Sequence, residues 1–438
     1  MSLSREQLEA HWMPFTGNRQ FKNHPRMMAS AKGAYYLDAD GRKIFDGLSG
    51  LWTCGLGHGR EEITAAVSAQ MSSLDYSPGF QYGHELSFEL ANKVVELTPS
   101  KLDHVFFTDS GSETIDTALK MARGYWRSKG QPGKSKFIGR IKGYHGVNYG
   151  GVGVGGIGFN RKLFGQSVDA DHMCDTLLDE NKFSRGMPAL GAHLADELEK
   201  LVQLHDASNI AAVIVEPLSG TAGVLPPPVG YLNRLREICD KYDLLLIFDE
   251  VITGFGRMGS MTGAEEFGVT PDILTLAKQI TNGTIPLGAV VVESELYNTF
   301  MDNGGPDYMV EFPHGYTYSA HPVACAAGIA ALNVLVDDNL IENVKSMSSK
   351  FEAAVHSLKG SPFVTDIRNY GLSAGISLEH YPGEPLRRPF EVGLKCLEKG
   401  FYVRWGGDTI QLAPPFIVEE KQIDDLINAV GESLHEFN

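Results

Sequence analysis

Between about residues 100 and 300 the chain alternates two kinds of segment. Short, nearly unbroken apolar runs are HVFF (104–107), AAVIV (211–215), LLLIF (244–248) and LGAVVV (287–292). Between them lie stretches with apolar residues at helical spacing, such as ETIDTALKMARGYW (113–126) and YLNRLREICDKY (231–242). An apolar run too short for a helix and lacking alternation is a strand covered on both faces, as in a parallel sheet flanked by its crossover helices. The pattern therefore predicts an α/β fold with a mostly parallel sheet.

The pattern changes after residue 322. The alanine-rich helical stretch VACAAGIAALNVLV (323–336) is followed by short strands, AGISLE (374–379) and FYVRW (401–405), and by a final helix, KQIDDLINAVGESLHEF (421–437). This predicts a smaller α+β domain. Near the start, YYLDADGRKIFD (35–46) reads as a hairpin that packs with that domain. The expected division is an N-terminal segment, 1–48, associated with the small domain; a large domain, 49–322; and the small domain, 323–438. No linker-like stretch separates them, so the domains are expected to share a firm interface, a common place for a ligand.

Composition narrows the function classes. The chain has 438 residues and a net charge of −16, which disfavours nucleic acid or an anionic membrane as a partner while leaving room for a local cationic pocket. No apolar stretch approaches the roughly 20 residues of a membrane helix, and MSLSREQLEAHW has no apolar core of a signal peptide. The five cysteines are dispersed without CxxC spacing, which argues against a disulfide framework or structural zinc and suits a reducing cytoplasm.

In LTLAKQITNG (274–283) an apolar run ends in Lys278, just before a polar turn. A surface lysine snorkelling to water would explain it alone, but three other strand ends offer matching chemistry. Asp249 directly follows the LLLIF run. FFTDSGSETIDTALKMAR (106–123) passes from a strand through a Ser/Gly turn into a helix start, where free N–H groups receive a phosphate or are simply capped. KGYHGVNYGG (142–151) presents Tyr144 and His145 on a glycine-hinged loop. Open parallel sheets bind ligands at such strand ends. A lysine amine, a carboxylate, an anion-binding helix start and an aromatic face together match pyridoxal 5'-phosphate (PLP), whose aldehyde, ring nitrogen, phosphate and flat ring need one each.

The order and spacing of HWMPF, LSGLWTCGLGHG, LDYSPGFQYGHELSF, FFTDSGSE, GYHGVN, DEVITGFGRMG, AKQITNG and HGYTYSAHPVACAAG resemble the class III (fold type I) PLP-dependent aminotransferases over nearly the whole chain. The resemblance is greatest to the ω-amino acid:pyruvate, or β-alanine–pyruvate, group. It implies a seven-stranded, mostly parallel sheet and a small domain built from both termini. It makes Lys278 the Schiff-base lysine and Asp249 the partner of the pyridine nitrogen. Gly111 and Ser112 would bind phosphate, Tyr144 and Val251 would cover the two ring faces, and His145 and Glu216 would lie near the cofactor. Thr317 would reach the phosphate from a neighbouring subunit, which implies a homodimer with shared sites; pairing of dimers into a tetramer stays open.

For substrate, the planar fork of Arg404 suits a carboxylate, although an inter-domain ion pair would use it equally well. The resemblance makes Arg404 a mobile arginine that grips the carboxylate of pyruvate or alanine and swings aside for neutral amines. It places Phe15, Trp52, Tyr144, Ala222 and Ile252 around the substrate, with Phe80 from the partner chain. The γ-aminobutyrate and ornithine enzymes carry a glutamate after the EP motif to hold that arginine; here the position is Thr221. The expected reaction is ping-pong transfer of an amino group from an ω-amino acid or primary amine to pyruvate, giving L-alanine. Alternatives on the same fold are an aminomutase, a racemase or a decarboxylating aminotransferase.

Other motifs are weaker. GVGGIG (153–158) fits G-x-G-x-x-G but lacks a clean strand before it and a helix after it, so a nicotinamide-dependent dehydrogenase is a remote reading. PGKS (132–135) lacks the first glycine of a P-loop, HELSF (84–88) lacks the second histidine of a zinc protease, and the histidines show no metal-ligand spacing.

Overall fold

The computed structural model describes residues 4–437. Its strands are β1 (Met28–Lys32), β2 (Tyr35–Asp38), β3 (Lys43–Asp46), β4 (Leu102–Thr108), β5 (Lys136–Arg140), β6 (Ala170–Met173), β7 (Ile210–Val215), β8 (Leu245–Asp249), β9 (Ile273–Leu276), β10 (Gly288–Glu293), β11 (Val364–Asn369), β12 (Ala374–Leu378), β13 (Phe401–Tyr402), β14 (Arg404–Gly406) and β15 (Thr409–Leu412). The central sheet has seven strands in the order β4-β10-β9-β8-β7-β5-β6. Strand β10 runs antiparallel to both neighbours, and the remaining pairs are parallel. All residues of β7, β8 and β9 are buried, as their unbroken apolar runs predict.

Helices cover both faces. Gly111–Ser128 turns Ile115, Ala118, Leu119, Ala122, Tyr125 and Trp126 inward at i, i+3, i+4 spacing. The sheet order follows from the crossovers: β4 and β9 both oppose β10, so six strands run the same way and end at one edge. The segments after β4, β5, β7, β8 and β9 therefore emerge together, although they span residues 109–278.

The N-terminal hairpin of β2 and β3 forms as expected, and β13 joins it in parallel through the pairs Phe401↔Phe45 and Tyr402↔Asp46. The FYVRW run is split: Phe401 and Tyr402 belong to this sheet, while Arg404–Gly406 pairs with β15 in a second sheet, β11-β12-β15-β14. The helix Pro322–Asp337, expected to open the small domain, packs instead against the helices Glu61–Ser73 and Glu85–Glu96 and the turn Lys278–Thr281. Its small side chains, Ala324, Ala327 and Gly328, permit that close approach, with Gly328 directly over Leu90. It also contacts the helix Leu340–His356 that follows it.

The motifs set aside in the sequence are structural. Lys134 of PGKS is buried, with its ammonium 3.5 Å from the Trp126 ring centroid and 3.3 Å from the Asp243 carboxylate. GVGGIG does run into a helix, Gly158–Phe164, contrary to the sequence reading, but what precedes it is the short helix Tyr149–Val154 and not the strand a dinucleotide motif needs. His84 of HELSF bonds the Ala320 carbonyl at 2.7 Å. Among the described residues no group of His, Cys, Asp and Glu is arranged to hold a metal.

Candidate active site

The common edge of the sheet opens into a cavity of about 350 Å³. Gly111, Ser112, Tyr144, Glu216, Asp249, Val251, Ile252 and Lys278, all expected at the site, line it. Lys278 follows β9 in left-handed backbone, φ 49°, a conformation that costs a non-glycine residue free energy and is held here by its surroundings. The polar turn after it does the holding. Gln279 Oε1 accepts the Gly55 N–H at 2.8 Å, Asn282 Oδ1 accepts the Leu56 N–H at 3.0 Å, and Asn282 Nδ2 donates to the Gly57 carbonyl at 2.8 Å. The turn of LTLAKQITNG thus clamps the LSGLWTCGLGHG segment against the lysine.

Asp249 ends β8. One carboxylate oxygen accepts the Val251 N–H at 3.1 Å and the other contacts His145 Nδ1 at 2.8 Å. His145 is buried behind Asp249, and its Nε2 has no partner among the described residues. Glu216 ends β7 and accepts N–H groups from Tyr144 at 3.0 Å and Gly220 at 3.3 Å, which fixes the Tyr144 loop. Burial raises the Glu216 carboxyl, and the Asp249 charge adds to this against the opposing effect of His145. Burial lowers the Lys278 amine to about 8; Asp249 and Glu216 pull it up and the Arg404 charge pushes it down. Burial thus brings the Lys278 amine closer to neutrality on a cavity wall it shares with the Asp249 and Glu216 carboxylates.

The phosphate end is built by close approach. Ser110 caps the Gly111–Ser128 helix, its side chain accepting the Glu113 N–H at 3.3 Å. The Ser112 oxygen accepts the Val147 N–H at 3.1 Å, which leaves its hydroxyl proton free to donate. A Cβ on Gly111 would lie 2.9 Å from Val251, and one on Gly146, at φ 84°, would lie 2.5 Å from Ser112 Oγ. Glycine at both positions keeps the cradle open. Lys278, Asp249, the helix start and the Tyr144 and Val251 side chains therefore fit PLP.

Other expected residues stand apart from the cavity. Trp52 is 2% exposed, sealed in a cluster with Leu218, Ile252 and Met258, so it backs Ile252 instead of forming an aromatic wall. Phe15 is 75% and Phe80 54% exposed, and Thr317 is also exposed, so none of the three closes the cavity of its own chain. Ala222 is half-buried in the 219–225 turn, off the cavity wall. Arg404 is half-buried and makes no ion pair among the described residues, although its charge acts on both Lys278 and Tyr144. Thr53, Asp109 and Gly146 line the cavity without having been singled out in the sequence. All three lie inside quoted motifs, Thr53 in LSGLWTCGLGHG, Asp109 in FFTDSGSE and Gly146 in GYHGVN, but none of them carried a chemical signal of its own.

A parallel sheet carrying this lysine, carboxylate and phosphate cradle defines a PLP-dependent enzyme of fold type I. The profile described as aminotransferase class-III matches residues 16–434, and the chain belongs to that family. It is 58% identical over 429 residues to the β-alanine–pyruvate aminotransferase of Pseudomonas aeruginosa, covering 98% of this chain and 96% of the relative. It is 59% identical over 436 residues to the ω-amino acid–pyruvate aminotransferase of Pseudomonas putida, covering 99% and 97%. The fold matches an amine transaminase from an uncultivated Pseudomonas species, solved with PLP bound, at TM-score 0.91 and 33% identity, over 98% of this chain and 99% of that one. The protein is a PLP-dependent aminotransferase.

Proposed function

We propose that the chain transfers an amino group from an ω-amino acid such as β-alanine, or from a primary amine, to pyruvate, releasing L-alanine by a ping-pong mechanism. The observation that carries the substrate reading is Arg404, a half-buried cation with no carboxylate partner among the described residues, close enough to lower the Lys278 amine. Its strand partner Gln411 donates to the Thr221 carbonyl at 2.9 Å, at the position where related enzymes carry a glutamate. With no acidic side chain holding the guanidinium, it stays available to a substrate carboxylate.

Bound in the cavity, PLP supplies an aldehyde that condenses with amines and a ring that accepts an electron pair. The protein's own groups do the rest. Asp249, oriented by His145 and the Val251 N–H, holds the proton on the ring nitrogen. Lys278 Nζ removes the proton from the amine-bearing carbon of the donor and, in the second half-reaction, delivers one to C2 of the acceptor. Arg404 orients acceptors by their carboxylate. Tyr144 and Val251 would cover the ring's two faces.

Three further features belong to this reading. Exposed Tyr76 and Tyr318, whose rings pack edge-on, and exposed Phe80, which lies against Gly315, form apolar surface near Thr317, which supports a homodimer that brings Phe80 and Thr317 to the partner's site. Within the chain, Tyr76 already donates to the Thr317 carbonyl at 3.1 Å. Five free cysteines support a cytoplasmic location.

The test is the visible spectrum of the purified protein. Addition of β-alanine should bleach the cofactor's yellow colour, and pyruvate should restore it with formation of alanine. No bleaching by any ω-amino acid or amine would reject the donor class, and faster recovery with 2-oxoglutarate than with pyruvate would reject the acceptor.

A further inference from the structure

Of the groups that line the cavity, Asp109 has no part in the mechanism above. It sits between the end of β4 and the Gly111–Ser128 helix, beside Ser110, Gly111 and Ser112, where the phosphate is received. Its surroundings are acidic. Its own N–H is tied to the Glu113 carboxylate at 2.7 Å. The Tyr316 phenol, brought in by the 312–320 loop, is raised by burial and by the charges of Glu113, Asp116 and Asp109. The wall also carries Tyr144, Glu216 and Asp249, with Lys278 its one cationic side chain among the described residues. Lys120 is nearby along the helix but is turned toward Asp116 and His314, 3.4 Å from the latter. A phosphate dianion entering this cradle meets N–H donors and also Asp109, whose carboxyl makes no ion pair among the described residues.

We propose that Asp109 makes capture of the cofactor's phosphate proton-linked, so that Asp109 takes up a proton when the dianion binds and cofactor affinity falls as pH rises. This rests on the PLP reading of the site. Burial, with a contribution from Glu113, already pushes the Asp109 carboxyl up to about 6. Below pH 6 the proton is present before binding and costs little. At pH 8, two units above, Asp109 must be protonated against the solution. This weakens binding by up to about 100-fold, whereas at pH 6 the factor is about 2-fold.

The experiment uses the full-length protein freed of cofactor, titrated with PLP at pH 6 and pH 8 and followed by tryptophan fluorescence. Asp109→Asn keeps the shape of the turn and removes the charge, and Asp109→Ser serves as a second variant in case the first folds poorly. Pyridoxal, which lacks the phosphate, is the control ligand. The expected result is PLP affinity raised up to about 100-fold at pH 8 and about 2-fold at pH 6, with pyridoxal unaffected. Ionisation of the free phosphate is common to both proteins and cancels in the comparison. Equal PLP affinities at pH 8, weaker binding by the variants, or the same gain with pyridoxal would each overturn the proposal while leaving the site intact. Failure of the wild type to bind PLP at all would overturn the site reading and the proposal together.

Discussion

Thr221→Glu tests the substrate reading most directly. Thr221 is half-buried, its carbonyl is held by Gln411, and Gln411 lies opposite Arg404 in the β14–β15 ladder. Thr221 is thus joined to the strand neighbour of Arg404, and a glutamate there supplies the acidic partner that the guanidinium lacks among the described residues. Two unit charges about 4 Å apart at an effective dielectric of about 20 attract by about 4 kcal/mol. Partial exposure and the entropy of fixing two long side chains reduce the net effect to about 1–2 kcal/mol. A substrate carboxylate must break that pair, so kcat/KM for pyruvate should fall roughly 5- to 30-fold. A neutral aryl-alkyl amine donor makes no demand on Arg404, so its half-reaction, read as bleaching of the cofactor colour, should be unchanged. If Thr221→Glu left pyruvate untouched, or slowed neutral amines equally, Arg404 would not be the carboxylate anchor.

Other perturbations probe the remaining parts. The donor half-reaction should accelerate with rising pH through about 8, because desolvation lowers the Lys278 amine to that value and only its neutral form accepts a proton; a stopped-flow pH profile flat from 6 to 9 would contradict this. Lys278→Arg, charged throughout that range, should lose at least about 100-fold in proton transfer while keeping its fold, checked by circular dichroism. Gly146→Ala combines left-handed strain at φ 84° with a Cβ 2.5 Å from Ser112 Oγ. It should cost about 2–4 kcal/mol in urea unfolding and loosen PLP more than pyridoxal. Asn282→Ala strands the Leu56 N–H and the Gly57 carbonyl. A loss of about 2–4 kcal/mol, together with slower donor chemistry, is expected, and an unchanged melting temperature would show that the clamp is dispensable.

The sequence by itself determined the local elements and the residue types of the site. Apolar runs at β7 and β8 became strands because only a doubly covered sheet buries such runs, and the TDSGSE turn became a capped helix start because Ser110 satisfies an end N–H. It also set the family, through motif order. What it could not determine is which strand ends meet. That depends on the order β4-β10-β9-β8-β7-β5-β6, which is fixed by long-range pairing and places Asp109 and Lys278 on one cavity wall. Only the tertiary structure turned Trp52 into core, because an indole's fit against Leu218 and Met258 is a property of the assembled seam and not of its chain neighbours. In the same way the alanine-rich helix 322–337 packs against Glu61–Ser73, Glu85–Glu96 and Lys278–Thr281, partners that its own sequence does not reveal. The charge state of the site was equally illegible. Burial shifts Lys278, Glu216 and Asp109, and neighbouring charges add to it: Asp249 and Glu216 raise the lysine, Asp249 raises Glu216 and Glu113 raises Asp109, effects that exist only once the chain has folded around them.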